Sequence, residues 1–319
     1  MDGNFATDGR TAAAIALRDD AIAGLSEDQK QLSPKWLYDH RGSALFEQIT
    51  TLPEYYLTRT ETDILRRYAG DLAQLVPAGG ALVELGAGAS VKTRLLLDEG
   101  QHFGTYVPTD ISVDFLAESA ATLQDMYPHI PMTPIAGDFL SPIAFPPSLQ
   151  DSPKVGFFPG STIGNLTPQN AVTLLQRAAG WPGVERFILG ADLVKDPATL
   201  VAAYDDSQGV TARFIANILV RLNAEVGANF DLESFTYRAT WNADLARIDM
   251  EMVATRDQTV DIDSRTISFV ENEAIHISAS RKYTERSLQA LVAAAGWRVE
   301  RLLTDPAKRF AVAVLGKET

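Results

Sequence analysis

The sequence predicts an α/β fold in which a doubly wound, Rossmann-like domain is joined to a second, α+β lobe. After an N-terminal segment, short apolar runs alternate with amphipathic helical segments, a pattern that implies parallel strands with helical crossovers. The alternation then lapses into segments typical of antiparallel strands, and it resumes near the C-terminus. We therefore expect one domain over residues 60–194 and 284–319, and a second lobe from residues 1–59 and 195–283.

The individual elements follow from apolar periodicity and from the turn residues between the apolar runs. The predicted strands cover residues 81–85, 105–109, 132–136, 155–158, 186–190, 235–242, 248–254, 266–269, 274–280, 297–303 and 310–315. The predicted helices cover residues 12–25, 61–68, 92–98, 113–127, 198–204, 210–225 and 284–295.

Composition and charge restrict the classes of partner. The 319 residues include 28 Lys and Arg against 41 Asp and Glu, and the net charge of -13 would repel nucleic acid. The chain has no cysteine, which excludes thiolate metal sites, and its four histidines lack the spacing of a metal pair, so we expect no metal. Neither a signal-like start nor an apolar run of membrane-spanning length is evident, and we expect a cytoplasmic enzyme without a membrane partner.

A glycine turn after the first predicted strand is the first sign of a ligand site. The run VELGAG at 83–88 ends a buried strand with Gly86 and Gly88, which let the backbone turn sharply and approach a ligand. The third glycine of a dinucleotide site is missing, and Glu84 precedes the turn. This combination suits S-adenosylmethionine (SAM) better than NAD, because the acid can lie near the positive methionine end. A plain loop is the alternative interpretation.

Two further acids follow the next two predicted strands. Asp110 lies where a ribose-binding acid is expected in a doubly wound fold. The Asp138 carboxylate is suited to accept a hydrogen bond from the adenine amino group, and the Phe139 ring is suited to stack on the face of the adenine. The carboxyl ends of parallel strands meet at one edge, so three signals there predict a SAM site, although each acid alone could be a surface turn or a helix cap. Lys92 and Thr93 are expected to close the loop.

Several long segments resemble the histidine Nα-methyltransferase family of ergothioneine biosynthesis. They are LSPKWLYDHRGS at 32–43, LPEYYLTRTE at 52–61, ELG at 84–86, KTR at 92–94, FPGSTIGN at 158–165, LGADLVKD at 189–196 and YDD at 204–206. The resemblance runs from about Leu32 to the C-terminus. It implies a class I methyltransferase domain with a substrate-binding lobe, which uses SAM to trimethylate the α-amine of histidine.

The resemblance also implies roles for individual residues. Asn165 and Tyr204 match positions that hold the α-carboxylate of the substrate, and Tyr38 matches a tyrosine near the amine, so Tyr38 and Asn165 are the catalytic candidates. Met250 matches a residue that lines the side-chain pocket. The positions matching cofactor contacts are Tyr55, Gly86, Lys92, Asp110, Asp138 and Phe139.

One position departs from the family pattern. The family typically has glutamate where this chain has Ser278, while its partner serine is retained as Ser280. Residues two apart on a strand share a face, so we expect both hydroxyls in the side-chain pocket. A hydroxyl cannot give an imidazole the charge-assisted bond of a carboxylate, which leaves a bulkier aromatic amino acid as an alternative substrate. A non-catalytic SAM-binding protein is a third hypothesis, against which Asn165 and Tyr204 both argue.

Overall fold

The computed structural model describes residues 11–88 and 91–318. In chain order its helices are α1 (Ala12–Leu25), α2 (His40–Thr51), α3 (Tyr56–Ala73), α4 (Val91–Leu97), α5 (Val113–Met126), α6 (Pro168–Ala179), α7 (Pro197–Ala202), α8 (Val210–Val226) and α9 (Glu285–Ala293). Its strands are β1 (Ala81–Leu85), β2 (Thr105–Asp110), β3 (Ile135–Ala136), β4 (Lys154–Phe158), β5 (Val184–Asp192), β6 (Phe235–Asn242), β7 (Arg247–Ala254), β8 (Gln258–Ile262), β9 (Arg265–Phe269), β10 (Ala274–Arg281), β11 (Trp297–Thr304) and β12 (Phe310–Lys317).

The chain divides into two units. The parallel-sheet unit comprises the described residues within Tyr56–Lys195 and Ser280–Thr319, and the insertion unit comprises the described residues up to Tyr55 together with Asp196–Ala279. The bounds expected from the sequence differ from these by at most four residues. None of the helices in the part of the chain that the structure describes has the length and apolar character needed to cross a bilayer.

The sheet of the parallel-sheet unit has the order β11-β12-β5-β4-β1-β2-β3. All of β1 is buried, as expected for a central strand covered on both faces, and it pairs in parallel with both β2 and β4. Strand β12 is antiparallel to β5 and β11. The strand order reverses between β1 and β4, which confirms the predicted doubly wound fold. Ligands bind such sheets at the carboxyl ends of the strands beside this reversal.

Helix α6 was not predicted, although it has clear start signals. Pro168 is its first residue, and the Thr167 side chain caps it by accepting from the Asn170 backbone N–H at 3.2 Å. The helix packs on the same face of the sheet as Trp297, whose indole N–H donates to the Leu175 carbonyl at 2.8 Å. This face of the core is therefore fixed by apolar packing and by a directional bond.

The insertion unit is built around α8. Its buried face, which includes Phe214, Ile218 and Leu222, packs against β6 and β7 and against α1 and α2. The helix starts at a strong cap, since Asp206 accepts from the backbone N–H groups of Val210 and Thr211 at 2.8 and 2.7 Å. The sheet of this unit has the order β10-β7-β6, and β8 and β9 form a separate hairpin. The packed helix and sheet give this unit an apolar core of its own.

Candidate active site

The glycine turn after β1 lies at the carboxyl edge of the parallel sheet. Gly86 and Gly88 have φ values of +67° and +48°, which residues with a Cβ rarely adopt. The Gly88 N–H points to the Asp110 carboxylate at 3.4 Å, so the turn is linked to the acid at the end of β2. Asp110 also accepts from the Ser112 N–H at 2.9 Å. These contacts fix one carboxylate beside a backbone turn without side chains, at the position where a doubly wound fold commonly binds a ribose.

A concavity opens after β3, next to this turn. It is lined by residues 109, 135–139 and 141–144, which include Asp138 and Phe139. Asp138 is exposed and accepts from the Leu140 N–H at 2.8 Å, and the Phe139 ring lies 5.4 Å from the Phe158 ring. An apolar ring face beside a carboxylate fits a flat heterocycle that bears an amino group. The cofactor residues predicted on the parallel sheet therefore lie along one edge.

Glu84 is buried inside the sheet rather than open to solvent. Its side chain accepts from the hydroxyls of Thr93, on α4, and of Tyr106, on β2 at 2.6 Å. Burial raises the pKa of this carboxyl from 4.5 to about 7, and the two hydroxyl bonds and the charge of Lys92 oppose the rise. The Glu84 carboxyl thus links β1 to α4 and to β2 through hydrogen bonds. A contact with the methionine end of SAM stays a prediction.

Lys92 is paired with a residue that the sequence analysis missed. Its ammonium binds the Glu61 carboxylate, and both oxygens of Glu61 also accept from the Gly160 N–H at 2.9 Å. Glu61 is buried, and it occupies a position between Leu57 and Ile64 on the apolar face of α3. A charged residue at such a position was the available signal. The pair anchors the loop that leads to Asn165.

This loop presents Asn165 on a constrained backbone. Ser161 adopts a left-handed conformation, with φ of 57°, and its hydroxyl oxygen accepts from the Asp192 N–H at 2.9 Å. A Cβ on Gly164 would lie 2.5 Å from the Arg281 carbonyl oxygen, so only glycine fits there. Asn165 follows in an exposed position at the end of a short 3₁₀ turn. Its side chain is therefore available for a ligand.

In the insertion unit, Tyr38 lies on an aromatic cluster. Its ring makes edge contacts with Phe46 and Phe214 at centroid distances of 5.8 and 5.5 Å, and it remains 42% exposed. The next residue, Asp39, caps α2 through the Gly42 N–H at 2.7 Å. Packing and capping thus fix the ring while leaving part of it accessible.

Tyr55 and Tyr204 contact each other within the same unit. Both rings are buried, and their centroids lie 5.9 Å apart in an edge-to-face arrangement. The hydroxyl of Tyr237 donates to the Tyr204 carbonyl at 2.6 Å, and Glu54 accepts from the Ser207 hydroxyl at 2.7 Å. Tyr237, which the sequence analysis missed, therefore supports the loop that presents Tyr204.

Met250, Ser278 and Ser280 are all buried. Met250 lies opposite Ala239 in the β6–β7 ladder. Along β10 the buried positions are 275 and 277, and then 278 and 280, so the alternation shifts by one residue between Ile277 and Ser278. Adjacent buried residues occur where a strand is covered on both of its faces. Ser278 and Ser280, two residues apart, are both buried, and their place in the side-chain pocket stays a prediction.

A buried charged cluster in the parallel-sheet unit was also missed, because Tyr56 and Lys282 are far from Asp192 in sequence. Asp192 accepts from the Tyr56 hydroxyl at 2.8 Å, and it is paired with Lys195 at 2.7 Å and with Lys282 at 2.8 Å. Lys282 donates in addition to the Ser280 hydroxyl oxygen at 2.9 Å. Burial lowers the pKa of Lys195 to about 8 and lowers that of Lys282, while Asp192 opposes both shifts. Two ammonium groups thus share one carboxylate.

Across the described residues, 11–88 and 91–318, no group of three or more histidine, aspartate or glutamate side chains is arranged to hold a metal ion. The structure does provide a carboxyl edge with Asp110, Asp138 and Phe139 on one unit, a contact between Tyr55 and Tyr204 on the other, and buried hydroxyls at Ser278 and Ser280.

Comparisons with known proteins show what the chain is similar to. A relative from Mycobacterium tuberculosis, named histidine N-alpha-methyltransferase, is 40% identical over 97% of both chains. A Neurospora crassa relative, named ergothioneine biosynthesis protein 1, is 33% identical over 64% of this chain and 24% of its own length. Among solved structures, a SAM-dependent methyltransferase from Clostridium acetobutylicum matches with a TM-score of 0.48 and 10% identity, over 86% of this chain and 98% of that one.

A family model described as histidine-specific methyltransferase, SAM-dependent, matches residues 17–317, and thus spans both units. The chain is a SAM-dependent amino-acid N-methyltransferase, and it belongs to the family of histidine-specific, SAM-dependent methyltransferases.

Proposed function

We propose that this enzyme transfers methyl groups from SAM to the α-amino group of free L-histidine, up to the trimethylated betaine of ergothioneine biosynthesis. The observation that supports this proposal most strongly is the match of the histidine-specific family model over both units. The acids and the aromatic ring at the carboxyl edge of the parallel sheet are consistent with a bound nucleoside. SAM supplies an electrophilic methyl group on its sulfonium. The protein has to bind both ligands, orient the amine toward the methyl group and exclude water from the site.

The cofactor is proposed to lie along the carboxyl edge of the parallel sheet. The Asp110 carboxylate would accept from the ribose hydroxyls, while Asp138 and Phe139 would bind the adenine amino group and ring face. The bare backbone at Gly86 and Gly88 leaves room for close approach. The methionine end is assigned to Glu84, Lys92 and Tyr55.

We propose that one set of residues binds the α-carboxylate and the α-amine, which all amino acids share, and that another set surrounds the side chain. Asn165 and Tyr204 would bind the α-carboxylate, and Tyr38 with Asn165 would orient the amine. Met250, Ser278 and Ser280 would surround the side chain. The amine attacks through its lone pair and must be unprotonated, and alignment with the methyl group is the main task, since effective molarities in well-oriented reactions reach about 10⁵–10⁸ M.

The test is to incubate the protein with SAM and each common amino acid, and to analyse the products by mass spectrometry. Histidine should gain up to three methyl groups, all on the α-nitrogen. Asn165→Ala should raise the KM for histidine strongly, because a site built to bind a polar group discriminates against losing that bond. Asn170→Ala, at an exposed position on α6, is the matched control and should leave the KM unchanged. Turnover of histidine amide as fast as of histidine would contradict the carboxylate assignment.

The names of the Mycobacterium tuberculosis and Neurospora crassa relatives do not favour the alternative of an aromatic substrate. If the same incubation methylated tryptophan, phenylalanine or tyrosine in preference to histidine, the proposed substrate would be wrong.

A further inference from the structure

Glu61 is a buried carboxylate that contacts both α4 and the loop that follows β4. Its two oxygens accept from the Gly160 N–H at 2.9 Å, and its charge is paired with the Lys92 ammonium. The Glu61 side chain is 1% exposed, whereas that of Lys92 is 18% exposed. Strand β5 makes room for the carboxylate at Gly190, where a Cβ would collide with the Glu61 Oε1 atom. The parallel-sheet unit thus encloses one charged group between two segments that carry predicted ligand contacts.

Packing stability alone does not account for this carboxylate. Glu61 lies on the apolar face of α3, and a buried ion pair is often no more stable than apolar side chains of similar volume. A carboxylate can make two directed contacts that an apolar side chain cannot make, one with an ammonium group and one with a backbone N–H. These two contacts are what Glu61 adds to the fold.

The first contact orients Lys92. A lysine side chain is long and flexible, and pairing with a buried carboxylate restricts the position of its ammonium. An ammonium has three protons, so Lys92 can bind Glu61 and a second carboxylate together. The methionine end of SAM carries such a carboxylate, and Lys92 is the second residue of α4, the helix that follows the glycine turn.

The second contact fixes the start of the loop that presents Asn165. Gly160 and Ser161 have φ values of 83° and 57°, and the Gly164 N–H donates to the Ser161 carbonyl at 2.8 Å. The chain between Gly160 and Asn165 is therefore a closed turn. A displacement of the Gly160 peptide would be passed on to Asn165.

We infer that Glu61 is a positioning residue for both ligands. Its charge holds Lys92 toward the carboxylate of SAM, and its oxygens hold the loop that places Asn165 against the α-carboxylate of the amino acid. This inference rests on the proposed function, in which Lys92 contacts the methionine end and Asn165 contacts the amino acid. The two tasks use different properties of one side chain, so substitutions can separate them.

Glu61→Gln removes the charge and keeps an oxygen that can accept from the Gly160 N–H. The dissociation constant of SAM, measured by calorimetry, should rise about tenfold, which is the effect of losing a charge-assisted contact. The dissociation constant of 5′-methylthioadenosine, which has the nucleoside but lacks the methionine carboxylate, should change less than about twofold. At saturating SAM, KM and kcat for histidine should stay within about threefold of the wild-type values.

Glu61→Met removes both the charge and the acceptor. It should weaken SAM binding as Glu61→Gln does, and it should also raise the KM for histidine about tenfold while kcat changes less than about threefold. Glu61→Gln has nearly the shape of the native side chain, and it still tests the proposal if Glu61→Met does not fold. Asp63→Asn alters an exposed carboxylate on the same helix, and as the matched control it should affect neither ligand.

A double variant tests whether the effect on the cofactor passes through Lys92. In a Lys92→Met background, Glu61→Gln should weaken SAM binding no further, because both changes remove the same contact. Effects that multiply, or equal losses for SAM and 5′-methylthioadenosine, would overturn the role of Glu61 toward the cofactor. A wild-type KM for histidine in Glu61→Met would overturn its role toward the loop.

Failure of the proposed function gives a different result. A wild-type enzyme that does not methylate histidine would overturn that function, while the titrations with SAM and 5′-methylthioadenosine would still decide the role of Glu61 toward the cofactor.

Discussion

The burial of Glu84 makes the stability of this enzyme depend on pH in an unusual direction. Its pKa is about 7 in the folded protein against an ordinary 4.5, so the folded state binds this proton more tightly than the unfolded chain does. The Glu84 contribution to the free energy of unfolding therefore falls as pH rises from about 4.5 to about 7. At about 1.4 kcal/mol per pKa unit, the loss is on the order of 3 kcal/mol.

Glu84→Gln removes this titration and keeps an oxygen that can accept from Thr93 and Tyr106. Urea unfolding at a series of pH values between 4.5 and 8 spans the titration. From the acid to the alkaline end, we expect the variant to gain about 3 kcal/mol relative to the wild type. Glu185→Gln, at an exposed position on β5, is the control and should run parallel to the wild type. If the curve of Glu84→Gln were also parallel, the carboxyl would not be buried as described.

Three further predictions concern the two ligands. Asp110→Ala should weaken SAM binding in calorimetry by roughly 1.5–3 kcal/mol, since the ribose hydroxyls lose a charged acceptor, and an unchanged affinity would remove Asp110 from the site. Tyr237→Phe removes the hydroxyl that donates to the Tyr204 carbonyl, and it should raise the KM for histidine about threefold to tenfold with SAM affinity unchanged. A KM equal to that of the wild type would mean that the loop carrying Tyr204 does not need this hydrogen bond. Ser278→Glu should raise kcat/KM for histidine at least ~10-fold relative to aromatic amino acids, and a constant ratio would mean that this side chain does not face the substrate.

The features of the fold that sequence reasoning predicted are those with local signals. Helix α1 has the predicted bounds because its buried residues recur at helical spacing and Thr11 caps its start. Strand β1 was predicted as a continuous apolar run, which is typical of a parallel strand buried on both faces. Strand β8 was missed because it pairs only with β9 and is partly exposed, so its apolar pattern is weak.

In the candidate site, too, the residues with local sequence signals could be predicted and those that depend on tertiary contacts could not. Gly86 and Asp110 follow strands, and their position at the sheet edge could be inferred from the order of elements. The pairing of Asp192 with Lys282 depends on tertiary contacts between segments about ninety residues apart, and no spacing rule encodes it. Ile277 and Ser278 are adjacent and both buried, which a strand with one covered face and strict two-residue alternation does not predict.

The most direct test of the central claim is to locate the transferred methyl groups. The enzyme would be given SAM with a ¹³C-labelled methyl group and an equimolar mixture of histidine, tryptophan, phenylalanine and tyrosine, and the products would be identified by NMR. We predict that the labelled methyl signals belong to histidine and couple to its α-nitrogen. Label on an imidazole nitrogen, or mainly on an aromatic amino acid, would contradict the account.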